Sequence, residues 1–241
     1  MTDDFEITFR SDVTVELVRA SAQDADVVFA ARVSTKGEQS LQDVDADAQR
    51  SAGLINYLMR DRHGSPFEHN SMTFYVQAPI FVFREWMRHR IASYNEESGR
   101  YRELRPVFYV PGPQRHLVQE GKPGQYVFVP GTPDQHAFVD EQTRAACEQA
   151  YAAYRRMLDA GIAREVARIV LPVTTYSSMY VTMNARSLMN FLSLRTKRED
   201  ARFPSFPQRE IEMAAEQMES HWARLMPLTH AAFEQNGRVA P

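Results

Sequence analysis

Cysteine is almost absent from this sequence, and so are long apolar runs. The single cysteine among 241 residues, Cys147, excludes an intramolecular disulfide and a metal site built from several cysteines. No apolar run approaches the roughly 20 residues that a membrane-spanning helix needs. The first six residues are acidic and lack the basic, then apolar, order of a signal peptide. We therefore expect a cytoplasmic protein that does not bind a membrane.

A strong excess of charge of one sign is also missing. The formal net charge is −3, and only three of the 28 basic residues are lysine. Proteins that bind nucleic acid non-specifically normally carry a large basic excess, so nucleic acid is not an expected partner. The sequence also lacks the Gly-rich Rossmann and P-loop signatures and the Gly-x-Ser-x-Gly hydrolase elbow. Any anion site must therefore be local and built from side chains.

Helical and strand patterns are mixed along the chain without a regular βαβ rhythm, which favours an α+β fold. The apolar content of 44% is enough for one sizeable core, and we expect a single domain over residues 1–241. The patterns predict strands at 13–20, 72–78 and 174–183, and helices at about 21–33, 44–59, 79–90, 132–161, 163–170, 184–195 and 208–225.

Residues 88–101 form the least core-like stretch of the chain and read RHRIASYNEESGRY. The wider window 84–105 contains six arginines, one histidine and four glutamates, but no lysine. Guanidinium groups bind phosphate and carboxylate in a planar, bidentate way that ammonium groups cannot. The stretch is therefore a candidate anion site. The simpler alternative is that its first cations only complement the dipole at a helix C-terminus.

A second polar cluster lies in residues 184–195, where Asn184 is a natural N-cap. Arg186 and Asn190 share the polar face of the predicted helix, and Arg195 projects near its far end. If this cluster and residues 88–101 converge in space, they could hold a ligand with phosphates and a heteroaromatic ring. The alternative is that Asn184 is only a cap and Arg186 only a surface charge.

Other reactive side chains have simpler explanations. His63 and His69 lie six residues apart without a third ligand at a helical or hairpin spacing, so a metal site is not expected. Cys147 falls on the apolar stripe of a long helix with Tyr151 and Tyr154, which predicts a core position. A cysteine nucleophile is therefore not expected either.

Residues 88–101 resemble the signature of the flavin-dependent thymidylate synthases (the ThyX family). That signature is Arg-His-Arg-x-x-Ser-x-Asn-Glu-x-Ser-x-Arg-Tyr, and the chain matches it at each fixed position. The likeness extends in order to residues 63–69, 167–172 and 184–195. It implies a single ThyX-like domain, in which long helices pack on a mixed or antiparallel sheet, and a homotetramer with active sites shared between subunits.

The resemblance implies the reductive methylation of deoxyuridine monophosphate (dUMP) to thymidine monophosphate (dTMP) without a cysteine nucleophile. Methylenetetrahydrofolate would provide the carbon, FAD would carry the hydride, and NADPH would reduce the flavin. By similarity, the FAD-binding residues are Ser65, Arg88, His89, Arg90, Glu96, Asn184, Arg186 and Asn190. The dUMP-binding residues are Glu85, Arg88, Glu96, Glu97, Ser98, Gly99, Arg100, Arg168 and Arg195.

Within that set the resemblance implies particular roles for three residues. Ser98 and Arg100 would bind the nucleotide phosphate, and Arg195 would be the catalytic residue that stabilises the ionised N3 of the uracil ring. Two places depart from the family pattern: Glu85 stands where relatives usually carry glutamine, and residues 196–208 form a longer loop without the usual histidine. Roles in that loop are therefore not transferred.

Two other functions remain open at this point. The arginine cluster could belong to a non-catalytic nucleotide- or RNA-binding module, which would show salt-dependent affinity and no bound chromophore. It could also form only a charged subunit interface. Flavin binding and dUMP-methylating activity would distinguish the enzyme from both alternatives.

Overall fold

A computed structural model of the chain describes residues 6–42, 48–122 and 125–241. The helices are α1 (Asp24–Lys36), α2 (Ala48–Arg60), α3 (Ile80–Trp86), α4 (Pro133–Asp159), α5 (Arg164–Ala167), α6 (Ala185–Arg195), α7 (Arg209–Leu225) and α8 (Pro227–Gln235). The strands are β1 (Thr8–Arg10), β2 (Thr14–Ser21), β3 (Ser71–Pro79), β4 (Ser93–Glu96), β5 (Val107–Tyr109), β6 (Val118–Lys122), β7 (Gln125–Val129) and β8 (Tyr176–Met183). The expected α+β fold is confirmed.

The strands form both parallel and antiparallel pairs. The largest sheet has the order β2-β3-β8-β4, β1 pairs with β5 in parallel, and β6 with β7 forms an antiparallel hairpin. None of the described helices is both long and apolar enough to cross a membrane.

The chain divides into two compact units. The first comprises Met1–Val13, Gln77–Glu85 and Glu96–Ser178, and the second comprises Thr14–Val76, Trp86–Asn95 and Met179–Pro241. The prediction of a single domain over residues 1–241 stays a prediction.

The first unit is organised around the long helix α4. Thr132 caps this helix, since its Oγ1 accepts a hydrogen bond from the backbone N–H of Gln135 at 3.2 Å. The buried face of α4 packs Cys147, Tyr151 and Tyr154 against Phe108 and Ala167. Cys147 is 1% exposed, which confirms its expected core position.

The second unit buries the apolar faces of α6, α7 and α8. The predicted N-cap of α6 is confirmed, because Asn184 Oδ1 accepts from the N–H of Ser187 at 2.9 Å. Helix α8 was not predicted from the sequence. Its first turn is capped by Asp24, whose carboxylate accepts from the N–H groups of Leu228 at 2.9 Å and Thr229 at 2.8 Å.

The helix predicted at 79–90 is much shorter in the structure. Pro79 ends β3, and α3 stops at Trp86, where the N–H of His89 donates to the Trp86 carbonyl at 2.9 Å and closes a turn. Arg88, His89 and Arg90 therefore follow the helix and do not form its last turn, so the predicted helix end near residue 90 is wrong. The strand β4 begins three residues after Arg90 and was also not predicted.

Candidate active site

The predicted site residues fall into both units. The first unit contains Glu85, Glu96, Glu97, Ser98, Gly99, Arg100 and Arg168. The second contains Ser65, Arg88, His89, Arg90, Asn184, Arg186, Asn190 and Arg195.

Residues 96–102, here called the motif loop, begin at the end of β4. The N–H of Glu97 donates to the carbonyl of Ser178 at 2.8 Å. The hydroxyl of Ser178 donates to Glu97 Oε2 at 3.1 Å, and the hydroxyl of Ser177 donates to Glu96 Oε1 at 2.9 Å. Two neighbouring serines of β8 therefore hold the two neighbouring carboxylates of the loop.

The carboxyl group of Glu96 has a perturbed acidity. Desolvation raises its pKa above the usual value, and the nearby charge of Glu97 acts in the same direction. The hydrogen bond from Ser177 and the charge of Arg168 oppose this shift without cancelling it. Glu96 therefore retains its proton to a higher pH than an ordinary glutamate.

Ser98 and Gly99 shape the turn of the motif loop. Ser98 Oγ accepts from the N–H of Arg100 at 3.3 Å, and the Ser98 carbonyl accepts from the N–H of Tyr101 at 3.1 Å. A Cβ on Gly99 would lie 3.1 Å from Arg168 Cδ and 3.0 Å from Leu104 Cδ1. Glycine therefore lets Arg168 approach the turn closely.

Two arginines of the loop are held by ion pairs, of which the Arg100 pair is the more exposed. Arg100 Nη2 lies 3.2 Å from Glu165 Oε2, with both side chains more than half exposed. Arg102 Nε lies 3.2 Å from Glu97 Oε1. The Arg100–Glu165 pair is exposed on both sides and contributes only about 0–1 kcal/mol, so a stronger anion can replace the carboxylate of Glu165.

In the second unit, Arg195 contacts His89. Its Nε donates to His89 Nε2 at 3.0 Å, across 106 positions of sequence. Because a guanidinium can only donate, His89 Nε2 must be the acceptor and carries no proton in this arrangement. The His89 ring also meets Phe191 edge to face at 4.8 Å, and Phe191 stacks on Trp86 at 4.9 Å.

The neighbouring Tyr94 fixes the backbone of His89. Its hydroxyl donates to the His89 carbonyl, and burial raises the pKa of Tyr94 to about 12. Tyr94 therefore stays protonated and remains a donor at neutral pH. No sequence signal marked this residue, since its partner is a backbone atom.

The N-terminal end of α6 gathers Asn184, Arg186 and the segment that contains Ser65. Asn70 Oδ1 accepts from the N–H of Ala185 at 2.7 Å, which joins the end of that segment to the helix. Arg186 pairs with Glu68 of the 3-10 helix Ser65–Glu68, and its Nε donates to the Pro241 carbonyl at 2.6 Å. Asn190 is exposed on the same helix.

Cys147 does not belong to either group. Its Sγ lies 3.3 Å from Thr174 Oγ1, and burial raises its thiol pKa. A buried thiol with a raised pKa is a poor nucleophile.

The match to known proteins covers the whole set of site residues. The family model described as "Thymidylate synthase complementing protein" (Thy1) matches residues 16–228. The flavin-dependent thymidylate synthase of Streptomyces coelicolor is 70% identical over 240 residues, which are 99% of this chain and 98% of the relative. That of Tropheryma whipplei is 60% identical over 233 residues, 97% of each chain.

The structure is also similar to that of a solved protein. A UMP/dUMP methylase, PolB, from Streptomyces cacaoi has a TM-score of 0.93 in its crystal structure with 5-Br dUMP, at 61% identity. Its structure with 5-Br UMP gives 0.91 at 60% identity, and both comparisons cover 98% of this chain and 100% of the other.

The chain therefore shares its α+β fold with a nucleotide methylase. It belongs to the flavin-dependent thymidylate synthase (Thy1, or ThyX) family.

Proposed function

We propose that this protein catalyses the reductive methylation of dUMP to dTMP with FAD as its cofactor. Methylenetetrahydrofolate is the carbon donor and NADPH reduces the flavin, and the reaction takes place in the cytoplasm. The observation that carries the proposal is the family match over residues 16–228, which spans every proposed site residue from Ser65 to Arg195.

The motif loop binds dUMP in this proposal. Ser98 and Arg100 contact the phosphate, and Arg168 approaches the turn beside Gly99. The support is the exposed pairing of Arg100 with Glu165, because a phosphate dianion competes well with a carboxylate for a guanidinium. Glu85, Arg88, Glu96 and Glu97 complete the nucleotide site.

FAD is held by residues of both polar clusters, and the chemistry of the donors fits it. Exposed Arg88 and Arg90, with Arg186, offer guanidinium groups for a diphosphate. The rings, the ribose and the ribityl chain need hydroxyl, amide, imidazole and carboxyl groups, which come from Ser65, Asn184, Asn190, His89 and Glu96. When bound, FAD supplies the hydride that converts a transferred methylene group into a methyl group.

Arg195 is the catalytic residue. A guanidinium beside the pyrimidine ring stabilises negative charge on N3 and makes the reacting ring carbon more nucleophilic. His89 orients this guanidinium, because His89 Nε2 accepts a hydrogen bond from Arg195 Nε at 3.0 Å. No covalent enzyme adduct is needed, in agreement with the burial of Cys147.

The direct test is product formation. The purified protein is incubated with FAD, NADPH, methylenetetrahydrofolate and dUMP, and dTMP is measured by chromatography. We expect dTMP formation that requires all four compounds. A flavin-loaded protein that forms no dTMP would contradict the proposal, and a colourless protein that cannot take up FAD would favour the non-catalytic nucleotide- or RNA-binding module.

Methylation of UMP is a second candidate activity. PolB, at 60–61% identity, is described as a UMP/dUMP methylase and was solved with bromo-analogues of both nucleotides. UMP in the same assay tests this candidate. Product formation from UMP at a rate similar to that from dUMP would assign both nucleotides as substrates. If no product forms from UMP, dUMP is the only one of the two that is a substrate.

We also propose a homotetramer with shared active sites. Large apolar side chains beside the proposed site residues are strongly exposed in the single chain: Ile91 is 75%, Tyr101 79% and Ile169 74% exposed. Covering such side chains with another subunit would remove this apolar surface from water. Light scattering should report four chains per particle, and a monomer that is fully active would contradict shared sites.

A further inference from the structure

Residues 237–241, here called the clasp segment, leave α8 through an unusual backbone turn. The N–H of Gly237 donates to Glu234 O at 3.1 Å and that of Arg238 to Phe233 O at 2.9 Å, which is a Schellman motif. Gly237 has φ 72°, as expected of glycine, but Arg238 also has a positive φ of 58°. That conformation is costly for a residue with a side chain, so other contacts must hold Arg238 there.

The side chain of Arg238 supplies those contacts. It is 2% exposed, and its Nη1 and Nη2 donate to Glu219 Oε1 and Oε2 at 2.7 and 3.1 Å. It also pairs with Glu234, and Nη2 donates to Thr196 Oγ1 at 2.8 Å. Ligand atoms of Glu219, His230 and Glu234 lie within 4.8 Å of one another, but the guanidinium already occupies both carboxylates. The cluster is therefore an ion-pair network and not a metal site.

Thr196 connects this network to the proposed catalytic arginine. It directly follows α6 and is the neighbour of Arg195. Both its N–H, at 3.0 Å, and its hydroxyl, at 2.7 Å, donate to the carbonyl of Leu192 in the last helical turn. The same hydroxyl accepts from Arg238. The clasp segment therefore fixes the C-terminal end of α6 and, with it, the backbone position of Arg195.

The other end of the clasp segment reaches the start of α6. The Pro241 carbonyl accepts from Arg186 Nε at 2.6 Å, and the Ala240 carbonyl accepts from Arg62 Nη2 at 3.2 Å. A Cβ on Gly64 would lie 2.5 Å from Arg186 Cζ and 2.7 Å from the Pro241 oxygen. Only glycine at position 64 leaves room for this contact.

We propose that the clasp segment positions both ends of α6 for the reaction. Arg238 is a positioning residue for Arg195 through Thr196, and the carbonyl of Pro241 positions Arg186 for FAD. This inference rests on the proposed function, because it assigns the clasp to the proposed catalytic and flavin-binding arginines. It adds residues 64, 196 and 237–241 to those that determine activity.

Thr196→Val tests the Arg195 end, with Thr196→Ser as the matched control. Valine keeps the shape but removes the acceptor for Arg238, whereas serine keeps the hydroxyl. We expect kcat to fall about tenfold in T196V and less than twofold in T196S, with KM for dUMP and the dissociation constant of FAD unchanged in both. An unchanged kcat in T196V, or an equal loss of kcat and FAD affinity, would overturn the positioning role.

Gly64→Ala tests the Arg186 end, with Gly53→Ala as the control. A Cβ on Gly53 meets nothing within 4 Å, so that variant changes a glycine without disturbing a contact. Titration of the apoprotein with FAD, followed by flavin fluorescence, should give a dissociation constant about tenfold higher for G64A and unchanged for G53A. Wild-type FAD affinity in folded G64A would overturn this half of the proposal.

The wild-type protein in the same assays separates the two proposals. If wild type forms no dTMP, the proposed function fails and the assignment of the clasp fails with it. If wild type is active and both T196V and G64A behave like it, only the inference about the clasp segment fails. Circular dichroism and the melting temperature establish that each variant is folded.

Discussion

The two regions that carry the arginines proposed to act in the reaction are themselves held in place in opposite ways. In the motif loop, Arg100 forms one ion pair with Glu165, and both side chains are more than half exposed. Around α6, Arg238 is 2% exposed and binds Glu219, Glu234 and Thr196. The loop can thus exchange its protein partners for a ligand, whereas the helix is fixed before any ligand binds.

This difference suits the two proposed tasks. A phosphate must enter and leave in each cycle, so its binding residues should have weak protein partners. A guanidinium that stabilises charge in a transition state should already be in place, because reorganisation during the reaction would raise the barrier. Substitutions in the two regions should therefore have different consequences.

Arg238→Met should cause the largest loss of stability. It leaves the buried carboxylate of Glu219 without its main cation, and breaking a buried pair costs roughly 3–5 kcal/mol. Urea unfolding measures the change. The matched variant Arg100→Met removes an exposed pair and should cost less than about 1 kcal/mol. Equal losses in the two variants would contradict the contrast.

Arg195→Ala should cause the largest loss of activity. Removal of a donor that stabilises developing negative charge lowers kcat about 10²- to 10³-fold. Flavin absorbance should show the same FAD content as in wild type. Arg195→Lys should recover only part of the rate, because lysine lacks the planar guanidinium group. Full activity in Arg195→Ala would remove Arg195 from the catalytic role.

Arg100→Ala should weaken dUMP binding without a large change in stability. A hydrogen bond to a charged group contributes roughly 1.5–3 kcal/mol, so KM for dUMP should rise by about 10- to 100-fold. Glu165→Ala is the control, since it frees Arg100 from its carboxylate partner and should leave KM for dUMP equal or lower. An unchanged KM in Arg100→Ala would place the phosphate elsewhere.

The side-chain pKa values of Glu96 and Glu219 should be shifted in opposite directions from the ordinary glutamate value. Desolvation raises the pKa of Glu96 above 4.5. Desolvation also acts to raise that of Glu219, but His230, Arg238 and Arg198 outweigh it, so its pKa lies below 4.5. Titration of the side-chain carboxyl carbons by NMR should therefore find Glu96 ionising at a higher pH than Glu219. The reverse order would contradict the described environments.

These acidities also set the sign of the pH dependence of stability. Glu219 contributes stability that is present above its unfolded pKa and is lost as pH falls through its lower folded pKa. Glu96 acts in the other direction, because its stabilising contribution is present at low pH and is lost as pH rises through its raised pKa. Acid unfolding should accordingly be less steep in Glu219→Gln than in wild type.

The sequence predicted elements whose signals are local. Thr132 and Asn184 each lie beside the helix that they cap, and the β-branched and aromatic residues in 72–78 and 174–183 identified β3 and β8. The motif of residues 88–101 also led to the family, which the comparisons confirm. The assignments of individual site residues stay proposals.

Other features depend on distant partners and could not be predicted from the sequence. The cap of α8 comes from Asp24, more than 200 positions earlier. The contact of His89 with Arg195 joins positions 106 apart, and the partners of Arg238 include Thr196, 42 positions away. The end of α3 at Trp86 and the strand β4 lacked a local stop or β-branched signal.

Hydrogen exchange with and without dUMP tests the central contrast most directly. In the flavin-loaded protein without dUMP, amides of residues 96–102 should exchange faster than those of α6, and they should become more protected when dUMP is added. Amides of α6 and Thr196 should exchange slowly in both states, since the clasp segment already fixes them. Protection by dUMP that appears in α6 and not in residues 96–102 would contradict the account.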